Sequence, residues 1–217
     1  MQRVLLMLVL FLVTCASASA QDCCPRVEVF GGYSYLGSDP EGDRIRSTQF
    51  DNRYGANGFG FNVAGNLSHK LGIIGDFNWH EKRLTIQQLF VGGSEVAAAR
   101  TEISRATALF GPRLTSRSDD TSYFLQAMVG AVRRRVKAEG SLADASTVVS
   151  AEDSKWSFAM GFGGGFDIAA AKHIAVRVFQ FDYIPTRGET DSTAADKKWS
   201  HNYRLQTGIV VRWGLAR

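Results

Sequence analysis

The sequence predicts an all-β fold, an eight-stranded antiparallel up-and-down transmembrane β-barrel. Three observations carry that prediction. Apolar residues recur at every second position in eight separate segments, the period of a strand with one apolar face. The connections between the segments alternate short and long, as when one end of a barrel faces a confined side. Aromatic residues gather on one parity of these segments, and glycine mixed with charge gathers on the other.

The first twenty residues stand apart. Met1-Gln2-Arg3 carries a positive charge, Val4 to Val13 is an unbroken apolar run, and Ala18-x-Ala20 fits a signal-peptidase site before Gln21. This is the layout of a secretory signal, and the run is too short for a lasting transmembrane helix. A lipoprotein reading would modify Cys15, but Thr14 before it fits that pattern poorly. The expected division is therefore a cleaved signal at 1–20, a short periplasmic tail at 21–25 and the barrel at 26–217. Cys23 and Cys24 fall in the tail; adjacent cysteines bridge each other only with strain, which leaves a plain tail or an intermolecular disulfide.

Strand one is Val27, Val29, Gly31, Tyr33 and Tyr35 against Glu28, Phe30, Gly32 and Ser34. The second sets Phe59, Phe61, Val63 and Leu67 against Gly58, Gly60, Asn62, Ala64 and Asn66. The third sets Leu71, Ile73, Phe77 and Trp79 against Ile74, Asp76, Asn78 and His80. The fourth, over 105–114, is weaker, and the fifth runs over 122–132 from Ser122 and Tyr123. The sixth, 156–168, holds Gly161, Gly163, Gly164 and Gly165; it lacks the third glycine and the following helix of a dinucleotide-binding loop. Split by parity, it has Trp156, Phe158, Met160, Phe162, Phe166 and Ile168 on one face and Ser157, Ala159, Gly161, Gly163, Gly165 and Asp167 on the other. That bare face is expected to leave lumen space for arginines of other strands. The seventh, 173–184, changes parity between Val178 and Phe179, which a β-bulge would accommodate. The eighth, 202–213, alternates cleanly from Tyr203 to Trp213.

The short connections are expected at 68–70, 115–121 and 169–172, and the long ones at 37–57, 81–104, 137–155 and 185–201. Residues 94–102 have the composition for a short helix inside a loop.

The aromatic parity is the lipid face. Tyr33, Tyr35, Trp79, Tyr123, Trp156, Tyr203 and Trp213 are expected to form girdles at the head-group level. The other parity carries Glu28, Asp76, Arg113, Asp167, Arg177, Asp182, Arg204 and Arg212. Eight strands enclose an interior only wide enough for side chains, so these charges are expected to pair as a packed lumen network. A narrow gated pore is the alternative. Arg133, Arg134, Arg135 and Lys137, with Lys197 and Lys198, are expected either as solvated strand ends or as contacts to lipid head-group phosphates.

Net charge is only +4, and no basic stripe with interleaved aromatics points to nucleic acid. No cysteine or histidine spacing forms a metal site, and no cofactor is implied.

The opening Val27-Glu28-Val29-Phe30-Gly31-Gly32-Tyr33-Ser34-Tyr35, the Gly111-Pro112-Arg113 near the end of the fourth strand and the closing Asn202–Trp213 together resemble the OmpA-like eight-stranded transmembrane domain of bacterial outer membrane proteins. The resemblance spans nearly all of 26–214 and implies outer-membrane residence. It also implies that Trp213 is read by the barrel assembly machinery, although Gly214–Arg217 follow it. The peptidoglycan-binding domain of many relatives does not follow the barrel, so wall anchoring is not expected. Ser200-His201-Asn202 is similar to the surface residues of outer membrane lipid A deacylases, yet neighbours on a strand point to opposite faces, so no catalytic residue is assigned.

The expected protein is a non-enzymatic, monomeric barrel with both termini periplasmic, four long loops outside, and outer membrane lipid and lipopolysaccharide as its surroundings. Its role is structural or interactive at the envelope. A small-solute porin is the first alternative and a lipid-modifying enzyme the second.

Overall fold

A computed structural model of the chain describes residues 25–39, 54–91, 94–142, 145–187 and 199–214, with side chains over 25–37, 55–83, 101–137, 152–187 and 199–214. The expected signal at 1–20, Cys23, Cys24, Lys197 and Lys198 lie outside the described residues.

Period-two segments fold as strands because hydrocarbon offers no hydrogen-bond partner, so each backbone group must find one on a neighbouring strand. The strands are β1 (Val27–Asp39), β2 (Tyr54–Asn66), β3 (Leu71–Val91), β4 (Ser94–Arg117), β5 (Thr121–Leu142), β6 (Ala145–Ala171), β7 (Ile174–Tyr183), the two-residue β8 (Thr186–Arg187) and β9 (Trp199–Trp213). Each long strand pairs antiparallel with its sequence neighbour, and β1 pairs with β9 to close the ring. The closing register runs without a break from Val27 opposite Trp213 to Asp39 opposite His201. Where β7 stops, β8 continues the same stave, pairing with both β6 and β9.

Glycine sets the tightness of the closing seam. Gly32 lies opposite Gly208, and a Cβ on Gly32 would come within 2.1 Å of the Thr207 carbonyl oxygen and 2.7 Å of the Gly208 Cα. At the end of β9, Gly214 takes φ 73°, a conformation that a residue with a Cβ adopts only with strain.

The parity change in β7 is a bulge. Phe166 pairs with Phe179 and Asp167 with Arg177, so Val178 is skipped. Val178 and Phe179 both face outward, while Arg177 and Gln180 are both buried. The extra residue thus keeps both halves amphipathic.

Two of the expected long loops are strands instead. Residues 81–104 continue β3 and β4 to Val91 and Ser94, and 137–155 continue β5 and β6 to Leu142 and Ala145. The segment 94–102, read as a short helix from its alanines, is part of β4, paired with β3 and, from Ala97 on, with β5. Helix propensity there is a few tenths of a kcal/mol per residue, and cross-strand pairing on both sides outweighs it. Beyond the membrane such strands no longer need an apolar face, so the alternation that marks the spanning part fades while the pairing continues. Two of the short connections are tighter than expected, because β4 extends to Arg117 and β6 to Ala171; the turns lie at 67–70, 118–120 and 172–173. These turns define one end of the barrel, and the projecting hairpins define the other.

The outer face is apolar over its middle: Phe61, Phe77, Phe110 and Phe162 are each between 44% and 62% exposed. Such a continuous exposed band belongs against lipid. Tyr35, Trp79, Trp156 and Tyr203 are exposed toward the hairpin end, and Tyr123 and Trp213 toward the turn end. From Tyr203 to Trp213 is ten residues of β9, about 33 Å along a strand, which a tilt of about 40° reduces to about 25 Å. That matches the apolar height of an outer membrane barrel.

The core is the lumen. Ala64, Ile74, Leu109, Met128, Val132, Ala159 and Ile184 form one buried apolar cluster, and Phe30, Ala175 and Val210 a second. The sequence reading has the bare face of β6 making room for arginines, but the side chains against it are others. A Cβ on Gly161 would meet Leu109 and Met128, one on Gly163 would meet the Asp182 carboxylate, and one on Gly165 would meet Phe124 and Gln180. Phe124 is the link to the arginines, with the guanidinium carbons of Arg113 and Arg177 at 4.0 and 4.4 Å from its ring centre.

Candidate functional site

The lumen-facing parity of β1, β3, β4, β5, β6, β7 and β9 converges on one polar column. At the turn end, Glu28 of β1 meets Arg113 and Arg117 of β4 at 3.3 and 3.0 Å and Arg212 of β9 at 3.8 Å. Asp167 of β6 is gripped by Arg177 of β7, with Nε to Oδ1 at 2.8 Å and Nη2 to Oδ2 at 3.2 Å. Arg113 and Arg212 approach the same carboxylate at 3.8 and 3.7 Å. This forked geometry is the strong form of the arginine–carboxylate contact.

One level further in, Arg204 of β9 joins two carboxylates. Its Nη1 donates to Asp76 Oδ1 at 2.7 Å and its Nη2 to Asp182 Oδ2 at 2.8 Å. Gln180 ties the two levels together: its Oε1 accepts from Arg177 Nη1 at 2.7 Å and its Nε2 donates to Asp182 at 2.6 Å. Gln126 Nε2 donates to the other oxygen of Asp182 at 2.8 Å. The eight charged residues read from the sequence therefore lie in one connected column. Arg113, Arg177, Arg204, Asp76, Asp167 and Asp182 have no exposed surface.

Toward the hairpin end the column is built of hydrogen-bonded polar side chains. Asn78 donates to Asp76 and accepts from Gln206, and Ser34 bonds His80 Nε2 at 2.8 Å. Arg105 then donates to Asn202 and Thr186 at 3.1 and 3.0 Å. Sequence reasoning missed Arg117, Gln126, Gln180, Ser34 and Arg105. Their parity was the available signal, since each shares a face with a charged residue already chosen.

The basic run on β5 divides between faces. Val132 is buried in the lumen, so Arg134 shares its inward parity, while Arg133, Arg135 and Lys137 share the outward one. The structure does not bring Arg134 to the lipid-facing group with which it was read. Arg133 lies over the Trp156 ring at 5.7 Å, and Arg135 pairs with Glu152 at 3.0 Å. Nearby, Arg83 lies 3.0 and 3.1 Å from Glu81 and Glu102.

His201 bonds the Tyr183 hydroxyl through Nδ1 and stacks against that ring, and His173 Nδ1 bonds the Arg212 carbonyl oxygen at 3.1 Å. His69 sits in a turn, where its carbonyl oxygen accepts from Arg117 at 2.9 Å. Asn202 is buried in the lumen and His201 is half-buried on the other parity. Among the described residues, no three His, Cys, Asp or Glu side chains are grouped to hold a metal ion.

Residues 6–212 match the family described as outer membrane protein beta-barrel domain. No curated protein matches the sequence. Among solved structures, the attachment invasion locus protein Ail of Yersinia pestis, in complex with the heparin analogue sucrose octasulfate, superposes with a TM-score of 0.52 at 16% identity, covering 85% of this chain and 97% of that one. OprG of Pseudomonas aeruginosa gives 0.43 at 11% identity, covering 89% and 98%. The outer membrane protease OmpT of Escherichia coli gives 0.47 at 10% identity, covering 86% and 96%. At these identities the likeness speaks for the fold alone. The closed ring, the apolar outer band, the filled polar lumen and the family match over nearly the whole length lead to one conclusion: the chain belongs to the outer membrane protein beta-barrel domain family.

Proposed function

We propose that the barrel is a closed, non-enzymatic envelope protein that presents its hairpins to the exterior, with Trp213 as its assembly signal. The observation that carries this reading is the filled lumen. Arg204, bound at once to Asp76 and Asp182, lies across the middle with none of the three side chains exposed. The apolar group of Leu109, Met128, Val132 and Ile184 occupies the space toward the hairpins. A solute path would require breaking buried ion pairs, at several kcal/mol each. The charge network therefore acts as a structural plug. Lipopolysaccharide is the expected neighbour of Arg133 and Arg135, and the barrel works as a monomer.

Planar-bilayer recordings of the purified protein are expected to give no steady conductance. Regular openings that survive further purification would replace this reading with that of a small-solute pore. Lipid A kept intact after incubation is the expected outcome of an enzyme assay, and release of an acyl chain would overturn the non-enzymatic part.

A further inference from the structure

Inside the turn end the buried charges do not balance. Arg113, Arg117, Arg177 and Arg212 converge on only two carboxylates, Glu28 and Asp167. Counting Arg204, Asp76 and Asp182 of the next level still leaves five guanidinium groups against four carboxylates. An arginine stays protonated in proteins, so this excess cannot be relieved by losing a proton and calls for an anion.

Donors are also left over. Nε, Nη1 and Nη2 of Arg113, together with Nε of Arg117 and Nε of Arg212, are buried with no hydrogen-bond acceptor. Arg113 has only its ion-pair contacts and the face of Phe124. Arg117 and Arg212 line a cavity of about 440 Å³ that opens between the turns, with Ser122 and Lys172 on its wall. Ser122 Oγ is already held by Arg212 Nη2 at 2.6 Å. Asp119 and Asp120 stand exposed at the rim, where solvent and salt screen them from a group held deeper on the Arg117–Arg212 wall.

We propose that this mouth binds a phosphate group. Phosphate offers several acceptor oxygens in the geometry that guanidinium forks match. It would bring negative charge to the Arg117–Arg212 wall, and the cavity is large enough for it. The source is either a free phosphate or the head group of a phospholipid reaching around the turns. The inference does not depend on whether the barrel conducts.

The test uses the full chain folded in detergent and labelled with ¹⁵N. The arginine Nε–H resonances of Arg117 and Arg212 are followed as inorganic phosphate is added at constant ionic strength. A saturable shift is expected with phosphate and not with chloride. Arg117→Gln and Arg212→Gln should each weaken it by at least tenfold, while Arg187→Gln at the hairpin end leaves it unchanged. A parallel series in nanodiscs free of inorganic phosphate, with and without phosphatidylglycerol, identifies the source. A shift that appears only with phosphatidylglycerol assigns the site to a head group. The absence of any saturable shift in both series, an equal shift with chloride, or an undiminished shift of Arg212 in Arg117→Gln and of Arg117 in Arg212→Gln would overturn the proposal. Heat-modifiable migration on gels verifies that each variant is folded, and the wild-type titration alone remains decisive if a variant does not fold.

Discussion

Arg177 clasps Asp167 with two nitrogens, at 2.8 and 3.2 Å, ten positions away in sequence and directly across the turn between β6 and β7. Neither side chain reaches solvent. Removing one partner of a buried pair strands the other, and the usual cost is about 3–5 kcal/mol. Arg177→Met is therefore expected to lose that much unfolding free energy in urea titrations of the barrel in phospholipid bilayers. A loss under about 1 kcal/mol would mean that Arg113 and Arg212 already suffice for Asp167.

The seam makes a second prediction. A Cβ on Gly208 would lie 2.4 Å from the Gly31 carbonyl oxygen and 2.5 Å from the Gly32 Cα. Gly208→Val should block pairing of β1 with β9, leaving a chain that binds membranes without gaining heat-modifiable migration. Gly65→Val is the matched control, since a Cβ there has open space around it, and it should fold as the parent does.

The outer band predicts a penalty that no soluble barrel would show. Phe77 is 53% exposed and pairs with Phe61, also outward, near the middle of the band. Phe77→Arg should cost about 2–4 kcal/mol in a bilayer, as cations do near the midplane of such barrels. An unchanged unfolding midpoint would place this face in water.

The division of the basic run makes the last prediction. Arg133→Gln and Arg135→Gln should each weaken lipopolysaccharide binding to the detergent-folded barrel about fivefold, from about 1 kcal/mol per surface cation. Arg134→Gln should leave it unchanged. Calorimetric titration separates the three, and equal losses at all of them would contradict the parity assignment.

Strand identity and facing were legible in the sequence wherever lipid forces the alternation. Tyr33, Phe77 and Leu205 turned outward, and Glu28, Asp76 and Arg204 inward, as period two requires. The bulge at Val178 was legible for the same reason. The projecting hairpins were not. Above the membrane the outward face of β3 to β6 carries Glu81, Arg83, Glu102, Arg135 and Glu152, so polarity no longer distinguishes strand from loop. Nor did parity give the partners inside the lumen. That Arg204 would reach Asp76, 128 residues away, depends on how the strands stagger around the ring, and alternation within one strand carries no such information.

The pairing of Val27 with Trp213 brings the first and last strands side by side at the turn end. The order of staves around the barrel is thus a circle with an arbitrary starting point. A short linker from the end of β9 to the start of β1, with new ends opened in the tight turn at 118–120, would keep every stave next to its present neighbours. Such a circular permutant would retain the architecture while moving the terminal-strand position from β9 to β4.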